Sequence, residues 1–419
     1  MIRRTAYHSF LFILSKSAVF IAPLFAATIL SNSDYGRLEW SLSFSMLLVS
    51  IVSLASGNTI AFEKIKNDDS LLIGIGKNYS LSLFVIFLLL TLFSMVFFNS
   101  IVLTMVLSIS SILIVQDPFS AFVKAAGRGA FATMIDSALY IFLIIILGIA
   151  YFTGSQEIQF IYLLSFFGSF MAIMAYKTIS NSSKFSLENL LKLFNRGFPI
   201  MVSGVVGILF FSLPKFLLGG YSMNLVGEFS LYLRWASIAL IGYQFIYVLF
   251  FRELYKMTFI QFEKSVIKIF LAVFLIGILI IPMLYLSPLN DIASIKIPSF
   301  NLFLQLLMVI SISSWVISGL LEGILYREAK AKYHVYANLL GTLVFFLCYL
   351  SLNKSNNLTE LIAIAWTMGF IFVNISQILF IEKYIIKIKK MYRMRLAIGF
   401  LLLITFLSYS LLKVNNGIN

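Results

Sequence analysis

Long apolar blocks separated by short polar stretches set the pattern of this chain. A membrane-crossing helix needs about 20 mostly apolar residues, and reading the blocks against that length predicts twelve spans. Six run from Thr5 to Leu30, Leu38 to Phe62, Tyr79 to Phe97, Ile101 to Val123, Ala130 to Phe152 and Ile158 to Tyr176. Six more run from Gly197 to Gly219, Leu225 to Phe251, Val266 to Leu286, Asn301 to Leu321, His334 to Leu352 and Thr359 to Ile381. A shorter run, Leu396 to Leu412, is either a thirteenth span or an interfacial segment. Arg3 and Arg4 ahead of the first block look like the start of a signal peptide. Lys16 interrupts the block and no small-x-small cleavage site follows, so the block is read as span 1.

Composition agrees with the spans. Of the 419 residues 61% are hydrophobic and 11% charged, against roughly 45–50% and about 25% in soluble domains. This excludes a soluble enzyme, a disordered chain and a nucleic-acid-binding module. The single cysteine, Cys348, rules out an intrachain disulfide, and the only histidines are His8 and His334. No metal centre or cofactor motif is visible, and Gly74-Ile75-Gly76-Lys77-Asn78 fails the P-loop pattern at both ends. The expectation is a polytopic α-helical membrane protein with no cofactor and no ATPase of its own.

The net charge of +14 is explained by topology. Cytoplasmic loops retain Lys and Arg. With the N-terminus inside and spans alternating, inner segments hold 24 of the 31 basic residues and outer segments four, Arg37, Lys296, Lys354 and Lys413. The basic run from Lys383 to Arg395 is read as a patch for anionic lipid on the inner leaflet.

The longest polar stretch within the core lies midway, from Lys177 to Arg196. From Ser186 it reads as an amphipathic helix on the inner surface, with Leu187, Leu190, Leu191 and Phe194 on one face. The implied organisation is 1–177 as six spans, 178–196 as linker, 197–382 as six spans, and 383–419 as a basic segment with a short apolar tail. An even span count per half permits a parallel repeat. Pro23 and Gly36 recur as Pro214 and Gly227, both 191 residues later.

Several short marks gather along this frame. Asp34-Tyr35-Gly36 leads into span 2, and Ala125-Ala126-Gly127-Arg128 follows span 4. Gly197-Phe198-Pro199 opens span 7 and Val226-Gly227-Glu228-Phe229-Ser230 opens span 8. In length, span number, layout and these marks the chain resembles the polysaccharide flippases of the MOP exporter superfamily, the lipid-linked O-antigen repeat-unit (Wzx-type) exporters. Relatives often carry an Asp followed by Arg or Lys in the outer part of span 7. Here that place reads Leu213-Pro214-Lys215, so the base is kept and the acid is missing. The resemblance implies an all-α, MATE/MOP-like fold with two six-helix bundles around a central cavity, in a bacterial cytoplasmic membrane. It implies an oligosaccharide repeat unit on undecaprenyl pyrophosphate as substrate, moved from the inner to the outer leaflet for surface polysaccharide. A coupling ion, H⁺ or Na⁺, and an assembly with a polysaccharide polymerase go with that role.

Ionisable groups inside spans cost at least ~2.5–3.5 kcal/mol each at a helix centre, so they point to function. Arg234 shares a predicted helical stripe with Ser230, Ser237, Ile241 and Gln244, as a cavity wall requires. The bland reading is an Arg bonded to carbonyls of a neighbouring helix. Lys16 lies near the middle of span 1, and Lys215 lies four residues from the outer end of span 7, where it can snorkel to the interface. Arg234, Lys16, Lys215, Ser237 and Gln244 are the candidate substrate contacts. Asp136, Asp117 and Glu322 are the candidate ion-coupling acids; the two aspartates could instead pair with Lys124 or Arg128, and Glu322 follows Ser311, Ser314 and Ser318 along one face of span 10. Glu228 reads as a helix N-terminal charge.

Two other functions fit the hydropathy. A multidrug exporter of the same superfamily would favour acids in its cavity, whereas Lys16 and Arg234 favour an anionic substrate. A membrane-embedded glycan polymerase or ligase would need large outer loops, and the longest here is Ser287 to Ser299.

Overall fold

A backbone in hydrocarbon has no water to bond with, so its N–H and C=O groups must be satisfied within the segment, as helices do. Every element among the described residues is helical. The computed structural model describes residues 2–54, 56–66, 70–98, 100–154, 158–179, 186–241, 243–244, 257–286, 296, 298–299, 301–328, 330–352, 357–386 and 391–417. Contacts divide the chain into two compact units, Met1–Gly227 and Glu228–Asn419.

The first unit contains α1 (Ile2–Ile29), α2 (Asn32–Val52), α3 (Ser56–Lys66), α4 (Ser70–Phe97), α5 (Ile101–Ala125), α6 (Gly129–Asp136) and α7 (Ala138–Phe152). A 3₁₀ turn (Ile158–Leu163) leads into α8 (Leu164–Thr178), then come α9 (Leu187–Gly219) and the start of α10 (Met223–Ser237). The second unit holds the rest of α10, then α11 (Phe259–Leu286), α12 (Leu302–Arg327), α13 (Ala331–Leu352) and α14 (Leu358–Ile381). A π turn (Glu382–Ile386) and α15 (Tyr392–Gly417) complete it. Among the described residues, nine helices are long and apolar enough to cross a membrane. This is a multi-pass membrane protein.

Each unit is built round its most enclosed helices. In the first, α5 touches α2, α3, α4, α6 and α8, and 72% of its span is buried against 28% for α4. In the second, α12 and α14 are buried over 83% and 72% of their spans. Lipid offers no hydrophobic gain for helix association, so packing and hydroxyl bonds supply it. Ser45 Oγ donates to Val106 O (2.9 Å), Ser108 Oγ meets Ser165 Oγ (2.9 Å), and Ser311 Oγ meets Thr367 Oγ1 (2.8 Å). Other long apolar side chains, such as Leu89, Phe97, Leu279 and Leu350, are exposed.

The structure corrects several sequence expectations. Span 2 is two helices, broken between Val52 and Ser56, and span 5 breaks at Ser137. The basic Lys77 is not a loop residue. α4 starts at Ser70, and buried Lys77 donates from Nζ to Ile179 O (3.0 Å), satisfying the carbonyl just past the end of α8. The amphipathic stretch after Ser186 is not a separate surface helix. Ser186 caps it by accepting from Asn189 N, and it runs on through Pro199 and Pro214 as the single 33-residue α9. Within this stretch Leu193 is buried, packed on Leu72 and Ile75, while Leu191 and Phe194 are exposed. At its start, the hydrogen bond from Lys192 holds the Glu188 carboxyl below the usual carboxylate range. The second half of span 8 lies mostly outside the described residues, and the run after Leu396 is part of helix α15.

Candidate functional site

The two broken spans of the first unit face one cavity. At the first break Leu54 has φ 51°, a left-handed conformation that a leucine rarely adopts. Tyr79 Oη donates to Val52 O (2.6 Å), taking up a carbonyl that the interrupted helix leaves open. α3 then restarts and brings Gly57 against α5, where an added Cβ would lie 3.2 Å from the Asp117 carbonyl. At the second break one side chain of α5 serves both helix ends. Gln116 Nε2 donates to Asp136 O (2.8 Å), and Leu139 N donates to Gln116 Oε1 (3.0 Å). Ser120 Oγ adds a bond to Ala132 O (3.1 Å). Non-helical backbone at membrane depth is tolerated where protein encloses it or where it lines a cavity.

That cavity measures about 510 Å³ and is lined by Ser50, Ser53, Gly57, Gln116, Asp117, Lys124, Asp136 and Gly204, with apolar neighbours from α2 and α9. Asp117 is in the second half of α5, and its side chain is open to this space. Lys124 Nζ stands 3.5 Å from Asp136 Oδ2, whereas Asp117 has no ion-pair partner among the described residues. The sequence left both acids with the same alternatives. Geometry separates them: Asp136 is paired and Asp117 is open. Lys16, half-buried on α1, has Asp136 and Lys124 as its charged neighbours, so it belongs to this cluster. Arg128 is exposed.

At the other ends of α2 and α9 lies a second charged site. Lys215 Nζ is 2.5 Å from Glu39 Oε2, and the side chains are 6% and 0% exposed. Tyr35 Oη donates to Glu39 Oε1 (3.2 Å) from the preceding turn of α2. Lys215 therefore does not snorkel: it points inward and finds the acid that span 7 itself lacks. Sequence reasoning missed Glu39, although its charge stood two residues into an apolar span.

Glycines bring the backbones together here. A Cβ on Gly36 would overlap the carbonyl oxygen of Met223, and one on Gly227 would overlap that of Asn32. Each struck carbonyl lies four residues before the opposing glycine, so the contact is reciprocal. Nearby, Trp40 stacks on Phe44 (5.0 Å), both meet Phe216 edge-on, and Trp40 fills the space beside Gly219.

In the second unit, Arg234 is half-buried on α10. The stripe predicted from it does not persist. α10 ends at Ser237, where Ile238 N bonds Trp235 O and Ile241 N bonds Ile238 O, tighter turns that change the helical phase before Gln244. Ser237 is buried and donates to Leu233 O (2.6 Å), so its hydroxyl is spent on its own helix. Gln244 is half-buried. Glu322 stands 3.4 Å from His334 Nε2. The imidazole, itself buried, also meets Asn338 Nδ2 (2.9 Å) and Gln377 Nε2 (3.0 Å), forming a polar cluster of α12, α13 and α14. Glu322 and His334 were both visible in the sequence, but nothing there joined them.

No family profile matches the sequence, and no curated protein is recognisably similar to it. Solved structures are. An inward-facing multidrug resistance MATE family transporter of the MOP superfamily superposes with a TM-score of 0.59 at 11% identity, covering 92% of this chain and 95% of that one. The fold is that of the MOP-superfamily transporters. A second relative by fold is the lipid II flippase MurJ in an inward closed conformation, with a TM-score of 0.56 at 12% identity over 96% of this chain and 99% of that one. The first of these structures is a transporter and the second a flippase.

Proposed function

We propose that this protein moves an undecaprenyl-pyrophosphate-linked oligosaccharide repeat unit from the inner to the outer leaflet of a bacterial cytoplasmic membrane, with its N-terminus in the cytoplasm. The observation that carries this reading is positive charge held within spans: Arg234 half-buried on α10 and Lys16 half-buried on α1. A pyrophosphate bearing sugars cannot cross hydrocarbon unaided, and a polar path with cations lowers that barrier. The shared fold with a lipid II flippase supports a lipid-linked substrate. Removing the protein should accumulate lipid-linked single repeat units on the cytoplasmic side. Single units displayed outside would indicate a polymerase instead.

Asp117, open to the cavity, favours a second reading, an exporter of cationic drugs from the same superfamily. Under that reading the deletion strain becomes sensitive to cationic drugs and its lipid-linked glycans stay normal.

The short loops hold no ATPase motif, so any uphill movement draws on an ion gradient or on trapping. Asp136, paired to Lys124 and neighboured by Lys16, is the acid best placed to exchange a proton or sodium ion for these amines. Asp136→Asn should leave abundance intact and weaken gradient-dependent transport. Normal gradient dependence in that variant would remove Asp136 from the scheme.

A further inference from the structure

We infer that Glu39 and Lys215 form a latch that shuts the outer end of the seam between α2 and α9, and that the latch parts when the cavity opens to the outside. The inference rests on the transporter reading for its purpose, and on the observed seam for its mechanics.

The seam has two different halves. On the half towards Leu54, the α2 residues Val49, Ser50 and Ser53 and the α9 residues Met201 and Gly204 stand on the walls of the 510 Å³ cavity. On the other half the helices pack closely. Gly36 meets the first turn of α10, Trp40 fills the space at Gly219, and between them lies the ion pair. Glu39 and Met46, the cavity-lining α2 residue nearest to it, are seven residues apart on one helix, which places the pair roughly 10 Å from the cavity wall along the α2 axis. Solvent exposure shows the same division. Asp117 and Lys124 are open, whereas Glu39 and Lys215 are dry. Water therefore reaches the charges at one end of the seam and is excluded at the other.

A charged pair suits that position better than an apolar one. Burying two ions costs nearly as much as their attraction returns. The closed state, paired and dry, is therefore close in free energy to an open state in which both ions are hydrated. Two leucines in the same place would gain nothing from hydration and would hold the seam shut. Neither ion tolerates being dry and alone, so the pair favours all-or-none opening. Tyr35 keeps the carboxylate aimed across the seam by holding its second oxygen.

The test is the rate at which a membrane-impermeant maleimide, applied outside intact cells, labels a single cysteine in the cavity wall. Ser50→Cys in a Cys348→Ala background supplies that cysteine. Glu39→Gln and Lys215→Met should each raise the rate at least about tenfold, the scale on which losing one contact shifts a two-state population. The exchanged pair, Glu39→Lys with Lys215→Glu, should restore slow labelling. Rates are taken per folded molecule, so a merely structural role lowers abundance and leaves the rate unchanged. Unchanged rates in both single variants, or fast labelling in the exchanged pair, would overturn the latch. Asn32→Cys reports which side is outside: if only cytoplasmic reagent reaches it, the same comparison is made from that side. Labelling needs no substrate, so failure of the flippase reading would show in glycan accumulation and leave this measurement standing.

Discussion

Alanine in place of Arg234 should weaken binding of the lipid-linked pyrophosphate about 10- to 150-fold while membrane insertion stays normal, and lysine should fall between the two. The guanidinium cannot shed its charge to escape burial. It offers a planar fork that engages two phosphate oxygens at once, which an ammonium does not. A charge-assisted contact contributes about 1.5–3 kcal/mol, and this sets the expected range. Arg234 is half-buried in α10, three residues before the helix ends at Ser237. Transport measured per folded molecule separates this role from a structural one. A structural arginine would cost abundance and leave the surviving molecules fully active, and that result would sink the headgroup assignment.

Gly36→Ala should destabilise the fold strongly, by roughly 1–3 kcal/mol or more, because its methyl group meets backbone instead of a side chain that can turn aside. The struck atom is the carbonyl oxygen of Met223 in the first turn of α10. Gly148, inside α7, is the control, since a Cβ there meets nothing within 4 Å. Gly148→Ala should be neutral or stabilising by up to about 1 kcal/mol from helix propensity alone. Thermal unfolding of the two variants in the same detergent gives the comparison. Equal melting temperatures would show that the α2–α10 approach is looser than described.

What the sequence disclosed depended on whether a property is local. Apolar block length is local, and the all-helical, multi-span architecture followed from it. The breaks are not local. Span 5 parts at Ser137 because Gln116, on another helix, satisfies both freed ends. The break after Val52 is held in the same way by Tyr79. Nothing around Leu54 announces a left-handed residue. The predicted Arg234 stripe assumed an unbroken helix, and the turn at Ile238 removed that assumption. Lys215 was legible as a cation, but its partner lies 176 residues away in sequence. The likeness to relatives pointed to an acid beside it within span 7, whereas the structure supplies one across a helix interface. Glu322 and His334 were each visible, and only packing joined them.

The reciprocal glycine contact has a consequence for how such a chain is put together. Gly36 lies against the turn that begins at Met223, and Gly227 lies against the turn that begins at Asn32. A contact that maps onto itself when its two sides are exchanged is isologous, the kind that identical subunits make around a two-fold axis. One surface suffices for it, so a segment carrying this glycine can bind a second copy of itself without evolving a distinct partner. Joining two copies in one chain then replaces association from dilute solution with an encounter at the high effective concentration set by the tether. The stoichiometry of the pair becomes fixed at one to one by the covalent backbone, and each copy is released to diverge everywhere except at the turn where it touches its twin.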